Sequence, residues 1–141
     1  MNEFDLHEYD DDEPLTEEEL AEFRQLLLAK RNEIVHRMRQ RDRDELFHPI
    51  NEPADTGDVA QELSEQFLEA RMAERDAKLL REINHALSKF EDGTYGYCEG
   101  TDELIGRGRL KSRPWTRYSV AYKEEIELVR KERRLVNEME Y

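Results

Sequence analysis

The chain has 141 residues, of which 40% are charged and 37% hydrophobic, with a formal net charge of −13. That is too little apolar material for a thick globular core, but enough for long helices with narrow seams, which need about two or three apolar positions per heptad. So acidic a surface is repelled by the nucleic-acid backbone, which argues against direct sequence-specific DNA binding, and the single cysteine excludes an internal disulfide framework.

No cationic, apolar signal segment opens the chain and no 18-residue apolar run occurs, the pattern expected of a soluble, cytoplasmic protein without a membrane partner. Residues 1–15 read as an acidic N-terminal tail, with the run Asp10-Asp-Asp-Glu13 and then Pro14. Like charges this close oppose compact structure, while Phe4, Leu6 and Tyr9 offer apolar groups for docking on something folded.

Thr16-Glu-Glu-Glu19 is a helix start, with a hydroxyl N-cap, a glutamate three residues on and carboxylates at the positive end of the dipole. Leu20, Phe23, Leu27, Ile34, Met38 and Arg41 trace one face, widened by Leu26 and Val35. The pattern predicts a helix over about 17–46, on the order of 45 Å long. Pro49 and Pro53 end it, and a second helix starts near Asp55–Asp58. Its predicted seam is Leu63, Phe67, Ala70, Ala73, Ala77, Leu80, Ile83, Leu87 and Phe90, where small and large residues mix and let a partner helix approach closely. Each helix needs the other's apolar face, so 16–92 reads as an antiparallel coiled-coil hairpin with its tip near 47–60.

Gly93 is the candidate C-terminal cap of the second helix. Residues 93–118 then read as a compact, turn-rich module stocked with Tyr95, Tyr97, Leu104, Ile105, Leu110, Trp115 and Tyr118. From a Ser119 N-cap, a last helix is predicted over 119–141, with Ile126, Val129, Leu135 or Val136, and Met139 on one side, covering the aromatic cluster. The fold class is mainly α.

Within the module, Tyr95-Gly-Tyr-Cys-Glu-Gly-Thr101, Ile105-Gly-Arg-Gly-Arg-Leu-Lys-Ser-Arg-Pro114 and Ser119-Val-Ala-Tyr-Lys123 have the frame of a four-ligand zinc finger. The four ligand positions hold Cys98, Thr101, Ser119 and Tyr122. One thiolate, two hydroxyls and a phenol cannot hold zinc, so no metal is expected. His7, His36, His48 and His85 are distant from Cys98 in sequence, and the coil is expected to carry the last three away from it. The basic residues Arg107, Arg109, Lys111, Arg113 and Arg117 are expected to form local ion pairs or to meet a protein partner.

These strings resemble the DksA/TraR family of bacterial transcription factors, in a zinc-less version. Thr16-Glu-Glu-Glu-Leu-Ala-Glu-Phe-Arg-Gln-Leu-Leu-Leu28 is similar to the family's first coil helix, Glu74-Arg-Asp-Ala-Lys-Leu-Leu-Arg-Glu-Ile83 to its return helix, and Phe90-Glu-Asp-Gly-Thr-Tyr-Gly-Tyr-Cys98 to the junction. The resemblance covers about residues 16–141.

It implies a non-enzymatic regulator that binds RNA polymerase, expected to act as a monomer, whose coil enters the secondary channel. The family's tip pattern, Asp-x-x-Asp-x-Ala, falls on Asp55, Asp58 and Ala60. From the residues alone, the reading of Asp55 and Asp58 as caps of the return helix stays open. The family's response to guanosine tetraphosphate, part of the stringent response, implies a site at Leu79, Arg113 and Lys123. Glu82, however, stands where the family has lysine, and a carboxylate there repels a polyphosphate by about 1 kcal/mol per close pair. Weak or absent potentiation is therefore expected. The lost ligands imply a zinc-independent stand-in for a zinc-binding relative. The competing reading is a Gre-like secondary-channel factor that assists transcript cleavage, but such factors carry a sizeable β-rich C-terminal domain, for which the segment after Phe90 leaves no room.

Overall fold

The computed structural model describes residues 12–47 and 56–140. The segment 1–11 and the bend 48–55, which includes Asp55, lie outside the described residues. Four helices follow in order: α1 (Glu17–Phe47), α2 (Thr56–Asp92), α3 (Arg107–Ser112) and α4 (Val120–Met139). The fold is mainly α; the one strand-like pairing among the described residues is an isolated antiparallel bridge between Tyr97 and Leu104.

α1 opens with a reciprocal capping box. The Glu19 amide donates to Thr16 Oγ1 at 3.2 Å and the Thr16 amide donates to Glu19 Oε1 at 3.2 Å, which satisfies two amides that a helix start leaves orphaned. Phe23, Leu27 and Ile34 of α1 then bury against Ile83 and Ala86 of α2, and the cluster continues into Tyr95, Cys98, Ile105 and Leu110. The core therefore sits at the base of the hairpin, where helices and module meet.

Towards the tip the packing changes character. Asp76, its side chain 10% exposed, accepts from Arg37 Nη2 at 2.7 Å and Nε at 3.2 Å, and from Arg41 Nη2. Beyond this charged crossing, Leu63 and Phe67 are 60% and 64% exposed, a correction to the seam expected from periodicity. Opposite this part of α2, α1 runs through Arg39-Gln-Arg-Asp-Arg-Asp44, six residues in succession without an apolar side chain. Arg41, placed by spacing on the apolar stripe, is there as an ion-pair donor. Leu26 is half exposed, because it stands about 100° around the helix from Leu27.

α2 stops at Gly93, whose φ of +72° is the left-handed conformation that glycine adopts without strain, and the Thr94 amide reaches back to the Lys89 carbonyl at 3.0 Å. The module contains a helix that its glycine-rich sequence did not signal, α3, held by Leu110 at 1% exposure. α4 starts at its Ser119 cap, where Oγ accepts from the Tyr122 amide at 3.3 Å. It does not cover the aromatic cluster as expected: Tyr122 packs against the core, Ile126 is half-buried, and Val129, Leu135, Val136 and Met139 are exposed. A 20-residue helix is about 30 Å long, and only its first two turns adjoin the small module. Among the described residues, no helix is long and apolar enough to cross a membrane.

Candidate functional site

The four finger positions still converge. Cys98 is buried at 1% exposure, its amide bonded to the Glu103 carbonyl at 2.7 Å and its carbonyl to the Asp102 amide at 2.9 Å. Burial alone would push the thiol up; the Thr101 hydroxyl, the backbone of Ser119 and Gly100, and the Ser119 hydroxyl outweigh it and bring Cys98 down to about 7. Thr101 and Ser119, two of the positions tied to a finger by resemblance, thus hydrogen-bond the sulfur. The fourth, Tyr122, lays its ring on Gly100 so closely that a Cβ at Gly100 would overlap it. The aromatic ring joins α4 to the Cys98–Thr101 turn. This donor set does not fit zinc, which takes thiolate, imidazole or carboxylate ligands. Among the described residues, no group of three or more His, Cys, Asp or Glu side chains is placed to hold a metal ion.

A network of charges fastens the module to α2. Arg117 Nε donates to Glu82 Oε2 at 2.8 Å, and Nη2 donates to Oε1 at 3.3 Å. Arg117 also lies 3.9 Å from Glu99, which contacts His85 Nε2 and lies 3.8 Å from Lys89. His85 therefore meets the residue next to Cys98, against the expectation that the coil carries it away; α2 ends beside the module, so its last turns return to it. Lys89, 6% exposed, donates to the Tyr97 carbonyl at 3.3 Å, and burial lowers its pKa.

The positions tied by resemblance to guanosine tetraphosphate are arranged around this joint. Leu79 is half-buried on α2 against the core, one turn before Glu82. Arg113 is exposed at the C-terminal cap of α3, and Lys123 is exposed in the first turn of α4. Glu82 is engaged by Arg117, one of the basic residues expected to form local ion pairs. Asp58 and Ala60, from the tip pattern, are exposed in the first turns of α2; Asp55 lies outside the described residues. Asp58 and Asp92 are 34 helical steps apart, which puts the tip about 50 Å along α2 from the module.

A third cluster holds the N-terminal entry. Arg107, 7% exposed, donates from Nε and Nη2 to Glu19 at 2.5 and 2.9 Å, and to the carbonyls of Glu13 and Pro14 at 3.1 Å each. Leu15 packs on Gly96, where an added Cβ would stand 3.1 Å from Leu15 Cδ1. Nothing in the spacing of Glu19 and Arg107, 88 residues apart, announces this pair.

A long helical hairpin joined at its base to a small turn-rich module and a trailing helix defines a class of coiled-coil proteins. Comparison with known proteins narrows the class. The family model for the N-terminal domain of DnaK suppressor protein DksA matches residues 19–90. The RNA polymerase-binding transcription factor DksA of Caulobacter vibrioides is 40% identical over 118 residues, covering 83% of this chain and 82% of that protein. The protein of the same name from Escherichia coli K12 is 37% identical over 106 residues, covering 73% and 68%. Among solved structures, transcription factor DksA2 from Pseudomonas aeruginosa superposes with a TM-score of 0.64 at 34% identity, covering 77% of this chain and 83% of the other. A regulator from Chlamydia trachomatis, described as an RNA polymerase binding protein, gives 0.51 at 27% identity, covering 81% and 93%. The chain belongs to the DksA family.

Proposed function

We propose that this protein is an RNA polymerase-binding transcription factor that works through its coiled-coil tip in the secondary channel, performs no chemistry of its own and needs no zinc. The observation that carries the reading is the identity of 37–40% to factors named for polymerase binding, over most of both chains. The hairpin supports it. Asp58 and Ala60 are presented about 50 Å from the base, and the flank behind them exposes Leu63, Phe67 and Met72, apolar area that a channel wall can cover. Carboxylates at such a tip form charge-assisted bonds with basic groups near a catalytic centre.

Zinc independence is supported by the Cys98, Thr101, Ser119 and Tyr122 cluster, in which hydrogen bonds and an aromatic contact do the joining that thiolates do in a finger. The Gre-type alternative is disfavoured because the described residues after Asp92 hold turns, α3 and α4 but no strand.

The test is co-purification with core RNA polymerase, followed by transcription from a sensitive promoter and cleavage in a backtracked complex. Binding and altered initiation without stimulated cleavage is the expected result. Stimulated cleavage would move the protein to the Gre-type role.

A further inference from the structure

The hairpin passes from packed to unpacked at one level. On the base side of Asp76, α2 is a core helix: Ile83, Ala86 and Lys89 are buried, and Leu79, Leu80, Leu87 and Phe90 are half-buried against the cluster that holds Leu27 and Ile34. On the tip side the helix runs through residues 57–75, about 28 Å, where no side chain is buried and only Glu62 and Ala73 are half-buried. α1 does the same: over residues 39–44 Arg41 is half-buried and the rest are exposed. Tertiary packing, the main source of helix stability in proteins, therefore lies on the base side of Asp76.

The crossing is built as a boundary. Asp76 is buried and accepts from Arg37 and Arg41, which stand one turn apart on α1, and Arg37 also meets Glu33 on the base side at 3.2 Å. A buried carboxylate held by two guanidiniums separates at high cost, because each group that loses its partner is left charged and poorly solvated. Two side-chain contacts within 57–75 instead run along the helix itself. Gln61 Nε2 donates to Glu65 Oε1 at 3.5 Å, and the Arg71 guanidinium lies 5.0 Å over the Phe67 ring. Exposed contacts of this kind support a helix only weakly.

We propose that the hairpin is two cooperative units: a base, and an arm made of α2 residues 57–75 with α1 residues 39–44, which opens and re-forms by itself while the base stays folded. The Arg37–Asp76–Arg41 crossing is the latch that stops this opening from running into the core. Such an arm re-shapes its exposed row, Val59, Leu63 and Phe67, on a partner without unfolding of the protein. The inference concerns the free chain and stands independently of polymerase binding.

The experiment is hydrogen exchange on the full-length protein, read amide by amide at increasing low urea. Amides of residues 62–72 should exchange at least about 100-fold faster than those of 83–87, with a shallower dependence on urea, because opening the arm alone exposes less surface. Asp76→Asn, its helix content checked by circular dichroism, should speed exchange at residues 76–87 about tenfold or more. It should leave 62–72 within about twofold of wild type, since the arm opens without breaking the latch. Equal protection and equal urea slopes in the wild type, arm against base, would overturn the proposal. So would acceleration of arm and base by the same factor in Asp76→Asn, the mark of a hairpin that opens as one. If the variant fails to fold, the wild-type comparison decides by itself.

Discussion

Arg117 donates to Glu82 at 2.8 Å and ties the stretch before α4 to the last turns of α2. The carboxylate expected, from the family resemblance, to stand in place of a lysine is therefore part of the joint itself. Replacing it with lysine would add a cation and release Arg117 at once. For the wild type, potentiation by guanosine tetraphosphate should be weak or absent in a defined transcription assay. Glu82→Lys should gain part of it through Arg113 and Lys123. Each partner is about a third exposed, so solvent screens the pair and Glu82→Gln should cost only about 0.5–1 kcal/mol of stability. Strong potentiation of the wild type would show that other cations compensate for Glu82.

Acid should loosen the N-terminal entry. The Arg107 guanidinium, opposed by burial and helped by Thr16, holds Glu19 at about 2; Arg37 likewise, against burial and with help from Arg41, lowers Asp76. Both carboxyls bind protons less readily folded than unfolded. Their stabilisation is thus complete above the ordinary carboxylate range and is lost as pH falls from about 4.5 towards 2. Urea midpoints should drop over that window, and Glu19→Gln should flatten part of the drop. Arg107→Met should cost about 2–4 kcal/mol at neutral pH, since it abandons two carbonyls and a carboxylate. An unchanged midpoint for Arg107→Met would remove the cluster from the account.

Gly100 and Tyr122 should behave as one unit. Gly100→Ala puts a methyl where the ring lies, so the ring must leave and the start of α4 loosens. Tyr122→Ala removes the ring at a cost of about 1–2 kcal/mol for a half-buried aromatic. The double variant should be clearly less damaging than the sum of the two, because the methyl then meets no ring. Additive losses in chemical denaturation would mean that the two sites are independent.

Metal chemistry offers a gain-of-function test. Purified wild type should contain no stoichiometric zinc and should keep its fold in chelator, since one thiol, two hydroxyls and a phenol do not make a zinc site around which a module folds. Thr101→Cys/Ser119→Cys/Tyr122→Cys, together with the resident Cys98, restores four thiolates at positions that already converge. That variant should take up close to one zinc per chain by metal analysis. Unfolding of the wild type on chelation would contradict the reading.

Local chemistry made much of this legible in the sequence. The Thr16–Glu19 box, the Gly93 stop and the Ser119 cap are short-range signals, and each forms the hydrogen bonds its residues imply. The helices of the hairpin follow from periodicity, but the depth of the seam does not. Leu63 and Phe67 keep the period and remain exposed, because burial also needs an apolar partner and α1 offers none over Arg39–Asp44. The charged contacts Arg37–Asp76, Arg107–Glu19 and Arg117–Glu82 join residues 35–88 positions apart and carry no local mark. The same holds for His85, which looked remote from Cys98 along the chain and meets its neighbour Glu99. α3 carries no clear local mark because it is only six residues long, starts after Gly106, contains Gly108 and is followed closely by Pro114.

The central claim, regulation of RNA polymerase through the tip, is tested most directly by Asp55→Asn/Asp58→Asn in a purified transcription system, with polymerase binding measured on the same samples. Asparagine also caps helices, so the start of α2 keeps much of its capping while the tip loses its charge. The account predicts that the variant still binds polymerase, because the coil is unchanged, while its effect on a sensitive promoter falls sharply. Wild-type protein that does not bind polymerase, or a variant that regulates the promoter as fully as wild type, would contradict it.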